Sequence, residues 1–182
     1  LGSTDMANGT LTINGVKDGD NISTINANGH SVFNLSSGDT LNLNSVLVQN
    51  AFRASGGAIY NSSGTISAIT DTIFSNNSAY SGGAIYNNYN GTINSITDTT
   101  FSNNSANYGG AIYNESGTIG AITGSTFSNN SATNSNGGAI YNYNSTIGSI
   151  TNSTFSNNSA QSGGAIYDIY GTIGAIIDSS FI

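Results

Sequence analysis

Gly82-Gly83-Ala84-Ile85-Tyr86 and Phe101-Ser102-Asn103-Asn104-Ser105-Ala106 are one copy each of two motifs that alternate along this chain. The first recurs at Gly56, Gly82, Gly109, Gly137 and Gly163, at intervals of 26, 27, 28 and 26 residues. The second recurs at Phe74, Phe101, Phe127 and Phe155. A period in this range marks a solenoid or array, in which each unit buries its apolar face only against its neighbours.

The places where the period stretches locate the turns. From Thr65 to Phe74 is nine residues, and the same holds for Thr92 to Phe101, Thr118 to Phe127, Thr146 to Phe155 and Thr172 to Phe181. Extra residues enter only between Tyr86 and Thr92 and between Ala132 and Gly137. Turns accept insertions and paired strands do not. The rigid segments are rich in Ile, Thr, Ser, Asn and Gly, which favour strands or disfavour helices. Each repeat therefore reads as one coil of an all-β parallel β-helix, one coil per 26–28 residues. Three strands per coil are expected: Gly-Ala-Ile-Tyr, Thr-Ile, and the stretch ending in Phe. Ile59, Ile66, Ile69 and Phe74, with their equivalents, should point inward. The three-residue step from Ile66 to Ile69 implies a corner, since a straight strand alternates by two. Thr72, Thr99, Ser125, Ser153 and Ser179 should also face inward, with Gly57 and Ala79 at tight turns. Asn77, Asn104, Asn130 and Asn158 should stack as an amide ladder at a turn.

Residues 1–54 lack the full motif but alternate at period two, as in Leu41-Asn42-Leu43-Asn44. They read as one or two divergent coils, or a cap, since terminal repeats are atypical. Residues 55–182 are then a five-copy array whose last coil is incomplete, making about seven coils in one domain.

Composition narrows function. Only 6% of residues are charged, Lys17 and Arg53 are the sole Lys or Arg, and the net charge is −7. Such a surface does not suit a phosphate backbone, so nucleic acid is excluded as a partner. No apolar run reaches the ~20 residues of a membrane-spanning helix. No cysteine is present, which rules out disulfides and thiolate metal sites. With two cleavable residues, the folded array should resist trypsin.

The pairing of Gly-Gly-Ala-Ile with Phe74-Ser75-Asn76-Asn77 and its equivalents resembles the repeats of polymorphic outer-membrane proteins and related autotransporter passenger domains. The likeness covers residues 55–182, and Ala27-Asn28-Gly29-His30-Ser31 resembles the first coil of such β-helices. It implies a right-handed parallel β-helix at a bacterial cell surface, extracellular and non-enzymatic, used for adhesion or self-association. Host or neighbouring cell-surface molecules, glycans among them, are the implied partners. No catalytic residue and no cofactor comes with it.

Several side-chain series are candidate sites. Tyr60, Tyr86, Tyr113, Tyr141 and Tyr167 form a column that should point outward beside inward Ile59 and offer rings to a sugar or a partner. Against this stands the plainer reading that stacked tyrosines stabilise the sheet. Asp71 and Asp98 repeat in adjacent coils and are a weak calcium candidate or a glycosidase-like pair, against a plain reading as solvated corner residues. His30 is the only histidine and reads as a surface or capping residue. Thr65 and its equivalents suggest an ice-binding face, although the second threonine series, from Thr70, is expected past a corner. Asn-x-Ser/Thr sequons such as Asn76-Asn77-Ser78 occur in every coil, as the asparagine content alone would produce. The leading expectation is an adhesive surface segment. The main alternative is a head-to-tail extracellular fibre or surface-layer subunit, with a polysaccharide-active enzyme and an ice-binding solenoid as minor ones.

Overall fold

A computed structural model of the chain describes residues 4–5, 8–19 and 21–182. Residues 1–3, 6, 7 and 20, which fall within the expected N-terminal coils, lie outside the described residues. The architecture is a parallel β-solenoid of seven coils with no helix among the described residues. The first 54 residues supply two of the coils, in register with the rest.

Each full coil contributes a strand to four sheets, one more than the three expected from the sequence. In the third coil these strands are Ile59–Ser62, Thr65–Thr70, Ile73–Ser75 and Ser78–Ser81. We call the sheets they belong to the tyrosine, isoleucine, phenylalanine and fourth sheets. The fourth strand gives little signal in the sequence because its recurring apolar content is one alanine, preceded by serine and followed by a residue that changes from coil to coil. Ala79 accordingly lies inside a strand and not at a turn.

Register is strict, and like sits on like. Thr65, Ile66, Ile69 and Thr70 pair with Thr92, Ile93, Ile96 and Thr97. The threonine column continues through Thr40 and Thr10 into the divergent coils. Ile66 and Ile69 share one strand, so their three-residue step is not a corner. It is a β-bulge: the second coil spans the same width with Leu41-Asn42-Leu43, and the register shifts between Ile66 and Ala68. One extra residue opposite a partner strand is the signature of this irregularity. Because both threonine series lie on one strand, Thr70 is not past a corner either.

The interior is a continuous column of Ile59, Ile66, Ile69, Phe74 and their counterparts, at or near zero exposure from the third to the sixth coil, with Ile176 and Phe181 of the seventh coil about half exposed. The phenylalanine rings stack from Phe74 to Phe181 with centroids 4.7–5.0 Å apart and planes within 10°. Offset stacks of this kind add to the burial energy of each ring. Thr72, Thr99, Ser125 and Ser153 are buried beside them. Their hydroxyls donate to carbonyls two residues back, and Ser125 and Ser153 also accept the backbone N–H of the coil before.

Corners satisfy the remaining backbone. Gly56 and its equivalents turn with φ near +60°, and a Cβ on Gly56 would lie 2.1 Å from the Ile59 carbonyl. Only glycine fits such a corner. At the N-terminal edge, Lys17–Asp18 pairs antiparallel with Asn21–Asn26 and covers the phenylalanine sheet. A two-residue edge strand that carries Lys17 offers little template for further pairing.

Candidate functional site

The tyrosine column follows Ile59 and its equivalents on the tyrosine strands, so its rings leave the main core. They do not reach open solvent as the sequence suggested. Tyr86, Tyr113 and Tyr141 are only 9%, 8% and 7% exposed, and form a second apolar cluster. Neighbouring rings lie 4.9–5.7 Å apart from Tyr60 to Tyr167, with the inner three nearly parallel. Tyr108 packs on Tyr113 and Tyr141 at 6.1 and 5.8 Å, and Tyr143 packs on Tyr141 at 6.0 Å. The correction has a simple cause. At a coil rise of ~4.8 Å each ring covers the face of the next, and side rings from adjacent turns close the flank. A sugar cannot stack on faces already occupied.

The column is closed at its N-terminal end by one of the two cations. Asn34 holds the tyrosine position in the second coil. The Arg53 guanidinium lies 5.0 Å over the Tyr60 ring and donates to Asn34 Oδ1 at 3.3 Å. A guanidinium on an aromatic face replaces the missing ring with a cation–π contact. Arg53 is thus tied into the fold, while Lys17 sits on an exposed strand.

Glu115 ends the strand Ile112–Glu115 at a position filled by Ser62, Asn88, Tyr143 and Ile169 elsewhere. The Tyr86 phenol donates to Glu115 Oε2. Burial pushes the Tyr86 phenol well above its usual range, and the Glu115 carboxylate, as acceptor and as a charge, pushes the same way. Tyr113 is raised by burial and then by the Glu115 charge. Tyr141 is raised by burial and then by Tyr167. All three stay protonated well into alkali. Beside this group lies a cavity of about 80 Å³ lined by Asn88, Tyr89, Glu115 and Ser116. Asn88 is 4% exposed, and its Oδ1 has no partner among the described residues. Tyr89 is 65% exposed.

Asp71 and Asp98 occupy successive copies of the corner that follows the isoleucine strand, and both are exposed. Their neighbours in the column are Ser45, Gly124, Asn152 and Asp178, and all six positions have φ between 48° and 60°. Asp, Asn and Gly are the residues that tolerate this left-handed conformation. The turn itself therefore accounts for the acidic pair. No group of three or more His, Cys, Asp or Glu able to hold a metal occurs among the described residues. His30 is exposed, and its carbonyl accepts the Phe52 N–H at 3.3 Å.

Asn77, Asn104, Asn130 and Asn158 form an amide ladder at the corner after the phenylalanine strands, with Nδ2 to Oδ1 distances of 3.0–3.1 Å. Each Nδ2 also reaches a carbonyl one coil back. A second ladder runs through Asn61, Asn87, Asn114, Asn142 and Asp168 at 2.5–2.9 Å. Its signal was present in the sequence, where Asn or Asp follows the tyrosine in every copy. The glycines Gly64, Gly91 and Gly117 make room for it, since a Cβ there would lie within 2.8 Å of a ladder atom. The exposed sequon asparagines Asn76, Asn103, Asn129 and Asn157 are left-handed corner residues like the aspartates.

The coil geometry defines the chain as a repeat solenoid whose recurring buried residues form its core and its asparagine ladders. The Chlamydia polymorphic membrane protein repeat matches the chain four times, at residues 71–88, 98–115, 124–143 and 152–168. Each match runs from the corner before a phenylalanine strand into the next tyrosine strand and omits the isoleucine strands. Such repeats on a β-solenoid are consistent with an autotransporter-type passenger, and the family points to an outer-membrane or cell-surface location. No curated protein and no solved structure matches the chain. No helix among the described residues is long and apolar enough to cross a membrane, which says nothing of a β-barrel.

Proposed function

We propose that this chain is a non-enzymatic passenger segment displayed outside a bacterial cell, where its sides adhere to molecules of a host or neighbouring cell. The observation that carries the reading is the fourfold match to a surface-protein repeat on a solenoid whose repeated asparagines and aspartates sit in ladders and corners. Asp71 and Asp98 serve a turn, Arg53 serves the tyrosine column, and the asparagines serve the stack. What remains for function is the outer surface, both its repeated threonines and the residues that differ from coil to coil.

The test is adhesion itself. Beads coated with the chain are expected to bind cultured epithelial cells several-fold above beads coated with an unrelated solenoid. Equal binding of the two coatings would defeat the proposal. Release of reducing ends from polysaccharides would favour an enzyme, and filaments in electron micrographs of the isolated chain would favour end-to-end assembly.

A further inference from the structure

We propose that the turn after the tyrosine strand of the fourth coil, with the facing end of the fifth, is a subsite for a neutral pyranose. The inference rests on the surface-adhesion reading and gives it a ligand class and a place. The place is not the tyrosine column but its flank.

Three observations converge there. First, the turn from Asn88 to Thr92 has one residue more than its counterparts in the third, fifth, sixth and seventh coils. Tyr89 and Asn90 both adopt positive φ, 49° and 64°. A bulky residue is rarely held there, and here it stands with its ring largely in solvent. Second, the cavity beside it is lined by polar side chains, Glu115, Asn88 and Ser116, together with Tyr89 itself. Glu115 spends one oxygen on Tyr86, and Asn88 Oδ1 has no partner among the described residues. An amide oxygen left bare in a buried side chain is costly unless something donates to it. Third, the chain's only Arg is bound to Tyr60 and Asn34, and its only Lys lies in the first coil.

The ligand chemistry follows. An anion finds no cation here and meets Glu115. A hydrocarbon would strand the acceptors. A pyranose suits these groups: hydroxyls that donate to the Glu115 carboxylate and exchange a hydrogen bond with Ser116, and a C–H face that lies on an aromatic ring. A cavity of about 80 Å³ takes the hydroxyl-bearing edge, while the ring itself rests on Tyr89. Aromatic platforms with one or two polar groups are enough for weak, multivalent binding, which suits a surface that meets many glycans at once.

Saturation-transfer NMR with the whole chain and methyl pyranosides of glucose, galactose and mannose tests this. At least one sugar is expected to receive saturation. The effect should fall about fivefold or more in Tyr89→Gly and in Glu115→Gln. Glycine suits the positive φ at position 89, so that variant should keep the wild-type circular dichroism and melting curve. No transfer to any pyranoside, or full transfer in both folded variants, overturns the subsite. So does binding that appears only with added calcium chloride, which would assign the acceptors to a hard cation. Cell adhesion that survives in Tyr89→Gly while no pyranoside binds sinks this inference alone. Loss of adhesion with sugar binding intact sinks the surface reading instead.

Discussion

Replacing Asn104 by alanine removes one rung of a buried ladder, and its effect can be worked from the bonds it breaks. The side chain is fully buried. Its Nδ2 donates to the Phe74 carbonyl and to Asn130 Oδ1, both at 3.0 Å. Its Oδ1 accepts from the backbone N–H and the Nδ2 of Asn77, both at 3.1 Å. Four hydrogen bonds at about 1 kcal/mol net each give about 4 kcal/mol. Because the partners stay buried when the amide leaves, little is recovered from water. The neighbouring Asn103→Gly supplies the control. Asn103 is exposed at φ 55°, a conformation glycine shares, so that change should shift stability by less than about 0.5 kcal/mol. Urea unfolding followed by circular dichroism measures both. A solenoid can open coil by coil, so the midpoint and the slope should be read together. Asn104→Ala within about 1 kcal/mol of Asn103→Gly would falsify the claim that the ladder holds the stack together.

Two further outcomes follow from the same geometry. Tyr86, Tyr113 and Tyr141 have raised pKa values in the fold, so their stabilising effect is complete below the unfolded phenol pKa of about 10 and is lost as pH rises beyond it. Alkaline titration should therefore show the tyrosinate absorbance of these three residues and loss of β-sheet dichroism in one joint step above about pH 10; their reversible ionisation with the sheet signal intact would contradict it. Gly83→Ala places a Cβ 2.1 Å from the Gly110 carbonyl and 2.8 Å from backbone atoms of Ser105, so it should cost about 3 kcal/mol or more, whereas Gly124→Asn meets only the mobile Asp98 carboxylate and copies Asn152 of the next coil; thermal melts of the pair giving equal losses would refute the steric reading.

The sequence made the stack legible because the same residue returns at the same height in every coil. Invariance from Ile59 to Ile166 requires no knowledge of the cross-section. The cross-section was less legible for the same reason. The fourth strand carries small polar residues that also suit loops, and Ser78-Ala79-Tyr80-Ser81 offers no apolar alternation to betray it. The step from Ile66 to Ile69 fits a corner or a bulge equally well until pairing with Leu41 and Leu43 is seen. The tyrosines show the limit most plainly. Alternation places Tyr60 opposite Ile59, but only three-dimensional packing reveals Tyr108 and Tyr143 over the rings. Arg53 and Glu115 occur once each and break the repeat, so periodicity passed over both. Singular residues in a repetitive chain are the ones to look at for function.

The two asparagine ladders share a direction. In both, Nδ2 of one coil points to Oδ1 of the coil that follows it in sequence. Aligned side-chain dipoles add, and a fixed row of them acts as a partial charge at each end. The positive pole of the row that starts at Asn61 lies at its far end, where Asp168 carries the negative charge that answers it. Its negative pole is the Asn61 oxygen, which meets no donor among the described residues because Leu35 sits behind it. The stack is thus electrically polarised along its axis. Inserting one coil backwards would set two like poles against each other, whatever the match of its hydrophobic face.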